Sequence, residues 1–155
     1  MPEVKTHDRI NTAVLLALMS GLYYIMWKEI APVAEYLDIY MLLVFALAYL
    51  FATFYLSPDL DINSKPYKRW GILKFLWWPY KVIFKHRGFS HNPIIGPLTI
   101  VLNLAIIVAA LLLLGGIDLH SIPSSFIVAV TAGMVLSMEV HIISDNVVSK
   151  MKRIF

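Results

Sequence analysis

Long uncharged apolar runs, each closed by charge or by a helix breaker, dominate the pattern of this chain. The first extends from Ile10 to Trp27 between Arg9 and Lys28, and the second from Ile39 to Leu56 between Asp38 and the Ser57-Pro58 break. The third extends from Ile94 to Ile117, and the fourth from Ile122 through Met138 to about Asn146. A hydrocarbon core about 30 Å thick is crossed by roughly 17–25 residues of helix, so each run reads as a span. The pattern predicts an all-α, polytopic membrane protein. It is a single membrane domain, a four-transmembrane-helix bundle over 10–27, 39–56, 94–117 and 122–146, with one long loop at 57–93. Pro123 behind Ser121 is a start signal for the last helix, because proline tolerates the first turn and serine caps it.

Charge between the runs is one-sided. Lys5 and Arg9 precede the first run; Lys65, Lys68, Arg69, Lys74, Lys81, Lys85 and Arg87 fill the long loop; Lys150, Lys152 and Arg153 follow the fourth. The opposite connections carry Lys28 with Glu29, Glu35, Asp38 and Asp118. The positive-inside rule therefore puts both termini and the long loop on the cytoplasmic face of a cell inner (plasma) membrane. Within the loop, Arg69 to Lys85 is apolar, aromatic and basic at once. At α-helical spacing Lys74, Lys81 and Lys85 share a stripe, Trp70, Trp77, Trp78 and Tyr80 suit the headgroup zone, and Pro79 must kink the element. The expectation is a cytoplasmic amphipathic interfacial segment between spans two and three. It acts first as an anchor and second as a surface that holds anionic lipid near a site.

Composition supports a lipid-exposed chain, with 59% of residues apolar and 15% charged and a mean hydropathy of +0.73, far from the soluble average. Cysteine is absent, which excludes disulfides, thiolate metal sites and cysteine nucleophiles. Any metal must be held by imidazole and oxygen. A net charge of +3, concentrated beside apolar runs, fits membrane lipids as partners better than nucleic acid, which is not expected. The polar start before Arg9 and the lack of a small-residue cleavage motif predict that the first span stays in the mature protein.

The polar residues that lipid penalises gather at one face. His7 and Asp8 stand before span one, Asp59 and Asp61 after span two, His86, Arg87, Ser90 and His91 before span three, and His141 and Asp145 at the inner end of span four. A metal site in a helical bundle needs this convergence of ligands from several helices. His141 and Asp145 are four apart and share a helical face, in line with the small residues Ala129, Gly133 and Ser137 that let another helix approach. Asp59 and Asp61, in extended chain after Pro58, project to the same side. Gly88 and Pro93 allow His86 and His91 to come together, and Arg87 between them can grip a phosphate or carboxylate oxygen. Glu139 lies off the His141 stripe, and His120 falls on the opposite side.

Ser57-Pro58-Asp59-Leu60-Asp61, Trp70, Trp78-Pro79-Tyr80, His86-Arg87-Gly88-Phe89-Ser90-His91, and then His141 and Asp145, together resemble a family of small prokaryotic inner-membrane proteins, uncharacterised metal-binding proteins and membrane-bound metal-dependent hydrolases. The order His, Asp, His and His-x-x-x-Asp is more distantly similar to the zinc-dependent phospholipase C and P1 nuclease group, which cleaves phosphoesters with a metal cluster. The resemblance implies His7, Asp59, His86, His91, His141 and Asp145 as metal ligands and Asp61 as a ligand or general base. The soluble enzymes carry a further His-x-x-x-Glu pair that does not follow Asp145, which implies one or two ions rather than three.

The expected function is metal-dependent hydrolysis of an anionic phosphoester, lipid included, by metal-activated water at the cytoplasmic membrane face. Asp61 accepts a proton and Arg87 neutralises phosphate charge. Zinc is the first expectation for the divalent metal, with manganese and iron also compatible with mixed imidazole and carboxylate donors. The alternative is a non-catalytic metal-binding protein acting as sensor, carrier or scaffold. A metal-free lipid phosphatase would need an arginine where Val135 stands, and a transporter would need more polar residues within the spans than Asn103 and Glu139.

Overall fold

The computed structural model describes residues 4–30, 32, 34, 37–83 and 92–154. Among them every regular element is helical: α1 (Val4–Trp27), α2 (Ile39–Tyr55), α3 (Lys65–Arg69), α4 (Trp78–Ile83), α5 (Ile95–Leu114) and α6 (Ser124–Ile154). Short 3₁₀ turns at Pro58–Asp61, Gly71–Trp77 and Leu119–Ser121 join them. Three helices, α1, α5 and α6, are long and apolar enough to cross a membrane, whereas α2, with 17 residues, is a shorter apolar helix. At 1.5 Å per residue α2 reaches roughly 26 Å, a little under the thickness of a hydrocarbon core.

The helix boundaries depart from the apolar runs where polar residues find partners. α1 begins at Val4 rather than at Ile10, because His7, Asn11 and Leu15 repeat every four residues and form one buried stripe. α6 begins at Ser124, just after Pro123. Ser121 does not cap it; its hydroxyl donates back to the Asp118 carbonyl at 2.6 Å, and the Pro123 carbonyl accepts from Phe126 and Ile127 instead.

α2 and α6 run side by side in the same direction, and Gly133 sets their separation. A Cβ on Gly133 would lie 2.5 Å from the Phe45 carbonyl oxygen and 3.1 Å from the Tyr49 nitrogen. One turn further on, Thr53 Oγ1 and Ser137 Oγ share a hydrogen bond of 2.9 Å. The ridge of small residues on α6 thus faces α2. α1 runs antiparallel to both, tied by Tyr49 Oη donating to Asn11 Oδ1 at 3.0 Å.

Beyond α2 the chain packs its loop onto the bundle end. Leu56, Leu60, Trp77 and Tyr80 join Ala52, Ile100, Leu104 and Met138 in one buried cluster. Two side chains secure the loop to α2: Arg69 Nη1 donates to the Phe54 carbonyl at 2.8 Å and Trp70 Nε1 to the Tyr55 carbonyl at 2.9 Å. These carbonyls lie in the last turn of α2, where no later helical N–H can reach them.

Replacing Gly133 with alanine should force α2 and α6 apart and destabilise the protein by about 1–3 kcal/mol, the cost of overpacking a tight contact. Denaturation in detergent, read by circular dichroism, checks this against Gly21→Ala, where nothing lies within 4 Å of an added Cβ. Equal stability of the two variants would show that the approach is not close.

Candidate metal centre

The common end of α1, α2 and α6 gathers imidazole and carboxylate groups from three separate stretches of chain. His7 from α1 and His141 from α6 stack with ring centroids 4.2 Å apart. Asp145, one turn beyond His141, places Oδ1 3.1 Å from His7 Nε2 and Oδ2 3.6 Å from His141 Nε2. Asp59, from the 3₁₀ turn after α2, brings Oδ2 to 3.8 Å from His141 Nε2. One ligand atom from each of His7, His141 and Asp145 falls within 4.8 Å of the others.

These separations suit a small cation. Metal–donor bonds of about 2.0–2.2 Å in a tetrahedron put donors roughly 3.4 Å apart, and Asp145 approaches His7 Nε2 at 3.1 Å and His141 Nε2 at 3.6 Å through its two oxygens. The donor set, two imidazoles and two carboxylates, fits zinc, manganese or iron. His7 is buried at 4% exposure, so its orientation is set by protein rather than by solvent.

Ser144 orients His7. Its Oγ shares a 2.7 Å hydrogen bond with His7 Nδ1 and lies 2.8 Å from the His141 carbonyl. With Nδ1 engaged in this way, Nε2 faces the Asp145 carboxylate at 3.1 Å.

Arg69 secures the arrangement from outside. Its Nη2 donates to Asp8 Oδ2 at 3.0 Å, and the guanidinium lies over the Phe54 ring, 5.5 Å from its centroid. One side chain thereby links α1 beside His7, the end of α2 that leads to Asp59, and the root of the loop.

Of the residues expected from sequence, the structure brings together His7, Asp59, His141 and Asp145. Asp61 departs from expectation. Pro58–Asp61 is a 3₁₀ turn capped by Ser57, whose Oγ accepts from the Asp59 nitrogen at 3.2 Å, and not extended chain. At three residues per turn Asp59 and Asp61 diverge, and Asp61 is buried near Tyr80. Burial pushes the Tyr80 phenol up to about 12; a hydrogen bond with Thr99 opposes this and the Asp61 carboxylate adds to it, so the hydroxyl keeps its proton. His86, Arg87, Ser90 and His91 lie outside the described residues. Sequence reading missed Ser144, Asn11 and Arg69. Ser144 stands three residues from His141 and Asn11 four from His7, a detectable signal, whereas Arg69 lies 61 residues from Asp8 and gave none.

Comparison with known proteins agrees with a metal site. The model of a family described as "Uncharacterized metal-binding protein (DUF2227)" matches residues 2–123. The match holds His7 and Asp59 and stops before α6, which supplies His141 and Asp145. The chain is also 54% identical, over 55 residues, to an uncharacterized protein of Aquifex aeolicus (strain VF5). That alignment covers 35% of this chain and 39% of the relative. No solved structure matches the chain.

Removing the Ser144 hydroxyl frees the His7 ring. Ser144→Ala should weaken zinc binding about 10–100-fold, the usual effect of losing a group that orients a metal ligand, while Ser144→Thr retains it. Competition titration against a chromophoric chelator measures both, and unchanged affinity in the alanine variant would refute the role.

Proposed function

The chain belongs to the family of uncharacterized metal-binding proteins, and from that premise we propose that it holds a divalent cation among His7, Asp59, His141 and Asp145 and hydrolyses a phosphoester at a membrane surface. The observation that carries this reading is the convergence of His7, His141 and Asp145 within 4.8 Å, with Asp59 beside them. Isolated buried carboxylates and imidazoles are costly, and their gathering at one point is explained by a cation.

A bound divalent cation would supply Lewis-acid polarisation of a phosphoryl oxygen and lower the pKa of water to about 7. The protein's own residues do the rest. His7, fixed by Ser144, and the helical pair His141 and Asp145 hold the cation from rigid elements. Asp61, turned away from Asp59 and buried near Tyr80, takes no part in this reading, and Arg87, outside the described residues, would pair with the charge on the phosphate. The order His, Asp, His and His-x-x-x-Asp, similar to the phospholipase C and P1 nuclease group, supports phosphoester cleavage.

Three long apolar helices support placement in a membrane. The basic residues flanking His7, Asp59 and Asp145 support an inner membrane with the centre at the cytoplasmic side. α2 then completes four crossings, its 17 residues standing at the short end of the usual range of roughly 17–25.

Purified wild-type protein should carry a divalent metal by elemental analysis, and His141→Ala and Asp59→Ala should each lose most of it. Retention in both variants would reject the centre. With metal established, chelator-sensitive turnover within a panel of soluble and lipid phosphoesters is expected. Full metal occupancy with no turnover of any of them would leave a binding protein and end the hydrolytic reading.

A further inference from the structure

The loop between α2 and α5 presents a face that neither the bundle nor the metal centre uses. Its Gly71–Trp77 segment is a 3₁₀ helix, entered through Gly71 at φ +54°, a conformation that glycine adopts at little cost. Three residues per turn eclipse side chains at i and i+3. Trp77, at the end of this segment, and Tyr80, in the first turn of α4, lie inward at 0% and 1% exposure, packed edge to face with ring centroids 6.1 Å apart. Trp77 in turn meets Trp70 at 5.2 Å. The outward row is Ile72, Phe75 and Trp78, exposed at 90%, 61% and 63%. Val82, one turn of α4 later, and Ile83 extend it and are exposed as well.

Of the basic stripe expected at α-helical spacing, Lys74 and Lys81 fall within the described residues and differ in setting. Lys81 turns inward, its Nζ donating to Asn63 Oδ1 at 2.7 Å and lying 4.8 Å from the centroid of the Tyr67 ring. Lys85 lies outside the described residues, and Lys74 stands exposed beside the apolar row. Among the described residues the outward row is itself hydrophobic, with Lys74 beside it.

Its position says what covers it. Tyr80 and Ile83 line a cavity of about 220 Å³ together with Thr99, Leu102, Asn103 and Ile106 of α5. Ile106 is 11 residues beyond the first residue of α5, Ile95, which at the helical rise is roughly 16 Å along its axis. Tyr80 and Ile83 therefore face the flank of an apolar helix, one to three turns along it, with Tyr80 bonded to Thr99 in its second turn. A contiguous apolar face at that level, bearing an exposed tryptophan, suits the boundary of headgroups and acyl chains.

We propose that Ile72, Phe75, Trp78 and Val82 insert into the bilayer at the headgroup–acyl boundary, and that the loop is held there by apolar burial and not by attraction to anionic lipid. This rests on the membrane placement of the bundle. Trp77 and Tyr80 clamp the loop to the protein while the opposite row enters lipid, which fixes the depth of the neighbouring Asp59 turn.

The chain has no cysteine, so single-cysteine variants can be labelled cleanly with an environment-sensitive fluorophore. Ile72→Cys and Phe75→Cys report on the row, Lys68→Cys on the water-facing root of the loop, and Leu111→Cys on the exposed side of α5. In vesicles of zwitterionic lipid carrying a nitroxide high on the acyl chain, labels at 72 and 75 should be quenched severalfold more than at 68. Neither added anionic lipid nor molar salt should change this. Preferential quenching by iodide, or lipid quenching that appears only with anionic lipid and fades in salt, would overturn the inference. Protection from both quenchers that disappears on dilution into excess lipid would also overturn it, by showing a second copy on this face. Absence of lipid quenching at 111 would instead refute the membrane placement itself.

Discussion

The backbone approach of α6 to α2 at Gly133 is the constraint from which the rest follows. With the Gly133 Cα against the Phe45 carbonyl and the Tyr49 nitrogen, two parallel helices are locked in one register. Parallel packing carries the same offset onward turn by turn. Thr53 meets Ser137, and the chain leaving α2 delivers Asp59 where α6 delivers His141. A larger residue at 133 would shift every later pairing, so the distance between Asp59 and His141 is set two turns away from them.

An apolar bundle has little to distinguish one sliding position from another, because leucine and valine pack nearly as well after a shift of one turn. The buried polar pairs remove that freedom. Asn11 with Tyr49, Thr53 with Ser137 and His7 with Ser144 form a ladder that climbs toward the centre. Each rung satisfies groups that would be costly to leave alone in low-polarity surroundings, and each is lost together if one helix slips. Arg69 adds a tie of another kind at the exposed end, joining Asp8 to the last turn of α2.

Much of this was legible in the sequence, and the limits have physical causes. Charge and proline bounded the helices, and a spacing of four put His141 with Asp145 on the ridge that does face α2. The extension of α1 back to Val4 was missed because apolarity ends at Ile10, although the four-residue repeat His7, Asn11, Leu15 carried the information. The Asp59 turn was read as extended because proline acts on the residue before it, yet Ser-Pro is equally the opening of a capped helical turn. The loop from Gly71 to Ile83 gave no usable period, since apolar, aromatic and basic residues occupy every position and an assumed 3.6-residue repeat grouped the wrong side chains. A pair such as Arg69 and Asp8, 61 residues apart, leaves no local trace at all.

The origin of the donors bears on which ions the centre admits. His7, His141 and Asp145 come from helices whose register is fixed by packing, and Asp59 from a capped turn, so their spacing cannot open far without breaking the polar ladder. Calcium takes six to eight oxygens at about 2.3–2.6 Å in a flexible shell, and magnesium favours oxygen and retained water in an octahedron. A cluster built half of imidazole offers nitrogen where both ions prefer oxygen. On the proposed reading, the two imidazole nitrogens therefore favour the first-row transition ions and zinc over calcium and magnesium.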